Sequence, residues 1–170
     1  MLPGMTVPLI GERYRGVEGH IGYLLYQAGY TLRTALDAAL RPHGLSPPQY
    51  AVLSVLARDP GASGADLARA CNTTPQAMNG VLAILGRERL IQRHPHPTHG
   101  RILQVTLSDE GRRRLEAANP TVRALEAAIE RDFTAEQIAT VKAWLVESAK
   151  RLERMARSRE PQATPASQRS

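Results

Sequence analysis

The 170-residue sequence contains one cysteine, one tryptophan and one phenylalanine, so its core has to be built from aliphatic side chains. No apolar run approaches the ~20 residues that a membrane-spanning helix needs. The N-terminus has neither the basic segment nor the long apolar stretch of a secretory signal. Because a lone Cys71 cannot form a disulfide within the chain, a reducing compartment is favoured. These absences predict a cytoplasmic protein with no membrane association.

Catalytic signatures are also missing. The sequence has no glycine-rich phosphate-binding loop, no spaced pair of carboxylates in a loop, and no serine or cysteine with convincing nucleophilic partners. We therefore expect no enzymatic activity and no cofactor.

Positive charge is concentrated in one segment. The net charge is +6, and residues 69–114 hold eight arginines against three acidic residues, which is +5 in that segment alone. Arginine has a planar shape that suits phosphate oxygens and guanine edges. The pattern favours a polyanionic partner, although a bias in genome base composition explains an excess of arginine equally well. The run from Arg112 to Arg114 is interpreted as a solvated helix face.

Apolar residues spaced three and four apart predict a mainly helical chain. Capping residues mark helix starts at Ser46, Ser63, Ser108 and Thr134, and Pro120 predicts a kink or a break in the fifth helix. The predicted helices cover about 20–41, 46–58, 63–72, 74–89, 108–129 and 134–157.

Between the fourth and fifth helices the apolar period changes from helical spacing to two. Leu103, Val105 and Leu107 alternate with polar residues, and residues 91–94 form the predicted partner strand. The connection contains prolines and a glycine, which suits an exposed two-stranded ribbon. The order of elements in the middle of the chain is therefore a helix-turn-helix followed by a β wing.

The stretch TTPQAMNGVLAIL, residues 73–85, predicts a helix with two unlike faces. One face is apolar: Met78, Val81, Leu82 and Leu85. The other is uncharged and either polar or small: Gln76, Asn79, Gly80 and Ala83. Amide side chains match the N6 and N7 atoms of adenine in the DNA major groove, and small residues permit close approach. A solvated face is the alternative, but the neighbouring turn and basic wing favour DNA binding.

Two sets of DNA-contacting residues are predicted. The first lies on this recognition helix and comprises Thr74, Gln76, Asn79, Gly80, Ala83 and Arg87. The second lies on the wing and flanks, and comprises Ser63, Arg69, Arg93, His99 and Arg101.

The last helix carries an apolar seam spaced 3, 4, 3, 4, 3, which is typical of one helix packing along another. Its members are Ile138, Val141, Leu145, Ser148, Leu152 and Met155.

Together these stretches resemble the MarR (multiple antibiotic resistance regulator) family of winged-helix transcription factors. The matching segments are GLSPPQYAVLSVLARDPGASGADLARACNTTPQAMNGVLAILGRERLIQR, HPHPTHGRILQVTLSDEGRRRLE and FTAEQIATVKAWLVESAKRL, in which TLSDEG is similar to the family's LTxxG. The resemblance implies a homodimer whose two winged-helix lobes grip a palindromic operator in double-stranded DNA. It also implies release of DNA by a small, often phenolic, anionic effector or by an oxidant.

The predicted fold is mainly α: a winged helix-turn-helix with a two-stranded β wing plus N- and C-terminal dimerisation helices. The predicted parts are a flexible N-terminus at 1–16, a helical dimerisation region at 17–44 and 109–156, a winged helix-turn-helix DNA-binding domain at 45–108, and a disordered tail at 157–170.

Two departures from the family pattern bear on the operator. The wing has Thr98, His99, Gly100 and Arg101 where the family often has an Asp-Arg-Arg sequence, so Arg101 fills the arginine position without an acidic partner. Gly80 lies near a position at which family members often carry arginine, which implies a different operator.

A tyrosine group on the first helix has two interpretations. Tyr23, Tyr26 and Tyr30, with His43 nearby in sequence, line a candidate pocket for a small aromatic or anionic effector. Packing in a dimer interface explains the three tyrosines equally simply, because tyrosine suits half-wet interfaces.

The wing histidines and the cysteine are assigned no special chemistry. His94, His96 and His99 have a spacing that zinc or copper accepts, but no fourth ligand lies beside them, so we predict no metal site. Cys71 lies on an apolar face and is predicted to be a structural core residue.

We therefore predict a homodimeric, sequence-specific DNA-binding transcriptional regulator, a ligand-responsive repressor. The alternatives are a winged-helix protein-interaction module that does not bind DNA, and a small metal-binding protein that uses the wing histidines.

Overall fold

The structure, a computed structural model, describes residues 7–95 and 103–158. Nine helices and strands follow one another in these ranges: α1 (Ile21–Leu40), α2 (Pro47–Arg58), β1 (Ala62–Ser63), α3 (Gly64–Ala70), α4 (Pro75–Arg87), β2 (Ile91–Pro95), β3 (Leu103–Leu107), α5 (Asp109–Glu130) and α6 (Ala135–Arg157). They divide into two compact units, with the boundary after Glu126. None of the helices in the described ranges is long and apolar enough to cross a membrane.

The helix starts follow the capping residues that the sequence predicts. Ser63 Oγ accepts from the backbone N–H of Asp66 at 3.2 Å, and Thr74 Oγ1 accepts from that of Ala77 at 3.2 Å. Ser108 Oγ accepts from the N–H of Gly111 at 3.0 Å, at the start of α5. Each contact satisfies a donor that the first helical turn leaves without an intrahelical partner.

The break predicted at Pro120 does not occur, and α5 runs without interruption from Asp109 to Glu130. Proline removes the hydrogen bond to the carbonyl of Glu116, four residues earlier. Because Pro120 and Glu116 are both exposed, that carbonyl faces solvent. The buried residues Leu115, Ala118 and Val122 hold the opposite face of the helix in the core.

The three strands form an antiparallel sheet in the order β1-β3-β2. The predicted ribbon of β2 and β3 is present, with Ile91 opposite Leu107 and Pro95 opposite Leu103. The short strand β1 was not predicted, because two residues cannot show a periodic pattern; it pairs Ala62 with Val105.

The inward alternation predicted for β3 holds only near the base of the wing. Val105 is buried and Leu107 is half-buried, but Leu103 is 47% exposed. Leu103 is wrongly placed by the pattern because it lies opposite Pro95 at the far end of the ribbon, beyond the core.

The core of the first unit is aliphatic, as the scarcity of aromatic residues predicts. Its fully buried side chains come from α1, α2, α3, α4, β3 and the segment after α4: Leu40, Val52, Leu53, Leu56, Leu67, Met78, Leu85, Leu90 and Val105.

Residues 7–16, within the segment predicted to be flexible, form turns that are hydrogen-bonded to α1. The Arg15 side chain donates to Gln27 Oε1 at 2.9 Å and to the carbonyl of Pro8 at 2.9 Å. The ring of Tyr14 packs edge-to-face against Tyr23, with ring centroids 5.8 Å apart.

In the second unit, α6 is capped by Thr134 and buries none of its residues. Lys142 Nζ pairs with Glu130 Oε1 at 2.6 Å, across the turn between α5 and α6. The predicted seam is present as an exposed apolar stripe, on which Leu145 is 43% and Leu152 is 60% exposed.

Candidate nucleic-acid interface

A tight turn positions α4 against α3. Asn72 adopts a left-handed backbone conformation with φ of +48°, which its short polar side chain tolerates better than most residues. The N–H of Thr73 donates to the carbonyl of Ala68 at 2.9 Å and closes the turn. Since Leu67 and Met78 are buried, the inner faces of the two helices are fixed in the core. This is the helix-turn-helix that the sequence predicts.

The outer face of α4 is free of protein contacts. The six residues predicted on this helix are all exposed: Thr74, Gln76, Asn79, Gly80, Ala83 and Arg87. A Cβ built on Gly80 would meet nothing within 4 Å, so the backbone is accessible there. The neutral outer face of α4 can therefore approach a flat or grooved partner closely. Thr74 is also the N-cap of the helix, so part of its role is structural.

A local network organises the start of α3. Ser63 Oγ donates to Asp66 Oδ2 at 2.6 Å, and the backbone N–H of Ser63 donates to the same atom at 3.0 Å. Arg69 forms an ion pair with Asp66. These Ser63 hydrogen bonds, followed by Arg69, hold the pKa of Asp66 below its ordinary value despite its partial desolvation. Ser63 is thus a helix cap, and Arg69 is exposed but already paired within the chain.

A cleft of about 360 Å³ lies between α3, α4 and the sheet. It brings together three of the predicted residues, Ser63, Asn79 and Arg93. The sequence-based prediction missed three other lining residues, Gly64, Ala65 and Leu103. The adjacent small residues Gly64 and Ala65 were the available signal, because small side chains leave space beside a helix. The remaining lining residues are Leu82 and Val105.

The wing presents its strand β2 to solvent. Arg93 lies opposite Val105 in the ladder, and Gln92, Arg93 and His94 are exposed. His99 and Arg101 lie outside the described residues, as does His96. In the parts of the chain that are described, no group of three or more His, Cys, Asp or Glu side chains is arranged to hold a metal ion.

The tyrosine group on α1 faces solvent. Tyr26 is 72% exposed, and Tyr30 is exposed as well. His43, predicted with them, is half-buried and its Nε2 lies 3.1 Å from Thr121 Oγ1 on α5. The effector pocket assigned to these residues stays a prediction.

Cys71 is half-buried at the end of α3 and packs against the core. Burial raises the pKa of its thiol above the ordinary value of 9.0, against the opposing effect of the nearby Arg58. The thiol is therefore protonated at neutral pH and is a poor nucleophile.

Comparison with known proteins gives this geometry its context. The model of the MarR family matches residues 43–102, which contain α2 to β2. The HTH-type transcriptional repressor Rv2887 of Mycobacterium tuberculosis is 41% identical over 120 residues, which are 71% of this chain and 86% of the relative. The chain belongs to the MarR family.

Solved structures of a MarR family protein agree with the fold described above. The crystal structure of M. tuberculosis Rv2887 in complex with p-aminosalicylic acid is 38% identical and has a TM-score of 0.61, covering 76% of this chain and 98% of that one. The structure of Rv2887 in complex with DNA is also 38% identical, with a TM-score of 0.60, covering 75% and 96%. The predicted family and winged-helix fold are confirmed. As a MarR protein, the chain is a DNA-binding transcriptional regulator.

Proposed function

We propose that this chain is a homodimeric repressor that binds a palindromic operator and releases it on binding a small aromatic acid. In this proposal α4 enters the major groove, where Gln76 and Asn79 read base edges, while Arg87 and Arg93 hold phosphates. Arg69 becomes a further phosphate contact when it leaves its ion pair with Asp66.

The division of α4 into two faces is the observation that carries this proposal. Met78, Leu82 and Leu85 are buried, whereas the amide-bearing side is exposed and carries no charge. Around it lie exposed arginines on α3, on α4 and on β2. Phosphate contacts of this kind set orientation, and base contacts set sequence preference.

Dimerisation is supported by apolar surface that the single chain leaves uncovered. In α6 the seam residues Val141, Leu145 and Met155 are exposed, and α1 exposes Ile21 and its tyrosines. A second copy would cover such surfaces, because stable homodimers bury large apolar areas. Two-fold symmetry then places the recognition helices about 34 Å apart, one turn of duplex DNA.

The effector class is supported by two structures of the relative. The Rv2887 protein of M. tuberculosis has been crystallised with p-aminosalicylic acid and with salicylic acid. Tyr23, Tyr26, Tyr30 and His43 are the residues that we propose for the corresponding contact in this chain. Aromatic rings and an imidazole suit a planar anionic ligand.

Selection of bound sequences from a random DNA pool tests the proposed function. We expect a palindromic consensus, followed by specific binding in fluorescence anisotropy. With about 6 to 10 phosphates neutralised per dimer, affinity falls about 10³- to 10⁵-fold between 50 and 200 mM salt. Salicylate added to the complex lowers its anisotropy, and benzyl alcohol serves as the uncharged aromatic control. No sequence preference in the pool would contradict the proposal.

A further inference from the structure

The C-terminal end of α4 is tied to the first turns of α5 by several polar contacts. Ser108 Oγ donates to the carbonyl of Arg89 at 2.7 Å, and the backbone N–H of Ser108 donates to the carbonyl of Leu90 at 3.1 Å. These bonds hold the residues just after α4 to the cap of α5. The junction therefore lies between the recognition helix and a helix outside the DNA-contacting lobe.

One side chain spans this junction over the longest sequence distance. Arg114 Nη1 donates to Glu88 Oε2 at 3.2 Å, although the two residues are 26 positions apart. Its Nη2 donates to Glu110 Oε1 at 3.4 Å on its own helix. A Cβ built on Gly44 would lie 3.5 Å from Arg114 Nη1, so the guanidinium also adjoins the loop that follows α1.

Arg114 differs from its neighbour Arg113. The Arg114 side chain is 28% exposed, whereas that of Arg113 is 69% exposed and pairs only locally with Glu110 at 2.7 Å. The hydrogen bond from Arg113 is the largest cause that holds the pKa of Glu110 below its ordinary value, and Arg114 adds to it. Glu110 is thus served by Arg113, and the distinctive contact of Arg114 is the one to Glu88.

The position of Glu88 explains why it needs a cation. Glu88 is the C-cap of α4. A negative charge is unfavourable there, because the helix dipole places partial negative charge at the C-terminus. A free carboxylate at the end of the recognition helix would also repel DNA phosphates. The pair with Arg114 removes both penalties and uses the same contact to fix the helix end.

We propose that Arg114 is a positioning residue for operator binding: through Glu88 it fixes the orientation of α4 relative to α5. The inference rests on the proposed function, since it assigns α4 to the major groove. Arg114 itself need not touch DNA. Movement of α5 or of the loop at Gly44 would then reach the recognition helix through this guanidinium.

Equilibrium binding of full-length variants to the selected operator tests the inference. The set is Arg114→Ala, Glu88→Gln, their double variant, and Arg113→Ala as the control that removes the same charge from the same helix. Anisotropy is measured at several salt concentrations, at a temperature well below the thermal midpoint of every variant. Glu88→Gln is nearly isosteric, so it tests the pair even where Arg114→Ala folds poorly.

Opposite outcomes separate positioning from direct contact. We expect Arg114→Ala and Glu88→Gln each to weaken operator binding about 3- to 30-fold, and the double variant to lose no more than the worse single one. The salt slope stays at its wild-type value, and Arg113→Ala binds within about twofold of wild type. If Glu88→Gln strengthens binding, or Arg114→Ala lowers the salt slope by about 0.9, Arg114 is a phosphate contact and the inference is overturned. Equal binding by the Arg114 and Arg113 variants also overturns it, whereas a wild-type chain without operator preference refutes the proposed function instead.

Discussion

Gly111 lies directly against the carbonyl oxygen of Leu90. A Cβ built on Gly111 would be only 2.0 Å from that oxygen and 2.9 Å from the carbonyl carbon, both of them backbone atoms. The same oxygen accepts a hydrogen bond from the N–H of Ser108. The glycine that ends the TLSDEG motif is therefore required by close approach of two backbones at the α4–α5 junction.

Substitution at this position is expected to be costly. Gly111→Ala forces the backbone at Leu90 to move, and we expect the free energy of unfolding to fall by about 1–3 kcal/mol. Gly86→Ala is the matched control, because a Cβ there meets nothing within 4 Å and alanine favours a helix. The control is expected to gain up to about 1 kcal/mol. Urea denaturation followed by circular dichroism measures both, and equal effects would refute the steric explanation.

Arg89 occupies a position at which glycine is the preferred residue. It has φ of +57°. The N–H of Leu90 donates to the carbonyl of Leu85 and that of Arg89 to the carbonyl of Gly86, which is the Schellman pattern of helix termination. We expect Arg89→Gly to raise the free energy of unfolding by about 0.5–1 kcal/mol, because it relieves the left-handed strain. Arg89→Ala removes the same charge but keeps the strain, so a similar gain in both variants would point to charge instead.

Asn79 is expected to act through base recognition. Asn79→Ala removes a bidentate amide and should cost about 1–3 kcal/mol on the selected operator, with little loss on unrelated DNA. Arg87→Ala should weaken binding to both DNAs and lower the salt slope by about 0.9, as expected for a phosphate contact. Anisotropy titrations on the two duplexes separate these classes. Equal losses on every duplex for Asn79→Ala would remove it from the base-reading residues.

The exposed stripe of α6 is expected to hold the dimer together. Leu145→Glu places a charge in the middle of the stripe and should shift sedimentation at micromolar concentration from dimer to monomer, because a buried unpaired charge is costly. Ala143→Glu adds the same charge at an exposed position off the stripe and should leave the dimer intact. A dimeric Leu145→Glu variant would exclude this stripe from the interface.

Local signals were sufficient for most helix positions and for the two faces of α4. Ser63, Thr74 and Thr134 each cap a helix in the structure where the sequence predicts a start. Met78 is buried and Asn79 is exposed because helical geometry turns adjacent residues to different sides. Such features depend on neighbours within about four residues, so they can be read from the sequence.

Contacts between distant segments could not be predicted in the same way. The pairing of Ala62 with Val105, the Arg114–Glu88 ion pair and the approach of Gly111 to Leu90 join residues that no short pattern relates. The continuity of α5 through Pro120 is also a tertiary effect, because packing of Leu115 and Val122 outweighs the lost hydrogen bond.

The sequence alone determined which residues can cap, which can be buried and which side of α4 is free of charge, since these follow from side-chain chemistry and helical period. Only the tertiary structure decided how α4 is held at its end, and that Asn79 and Arg93 share a cleft. The physical reason is that the cost of bringing distant segments together is met by the whole core, so no single segment encodes it.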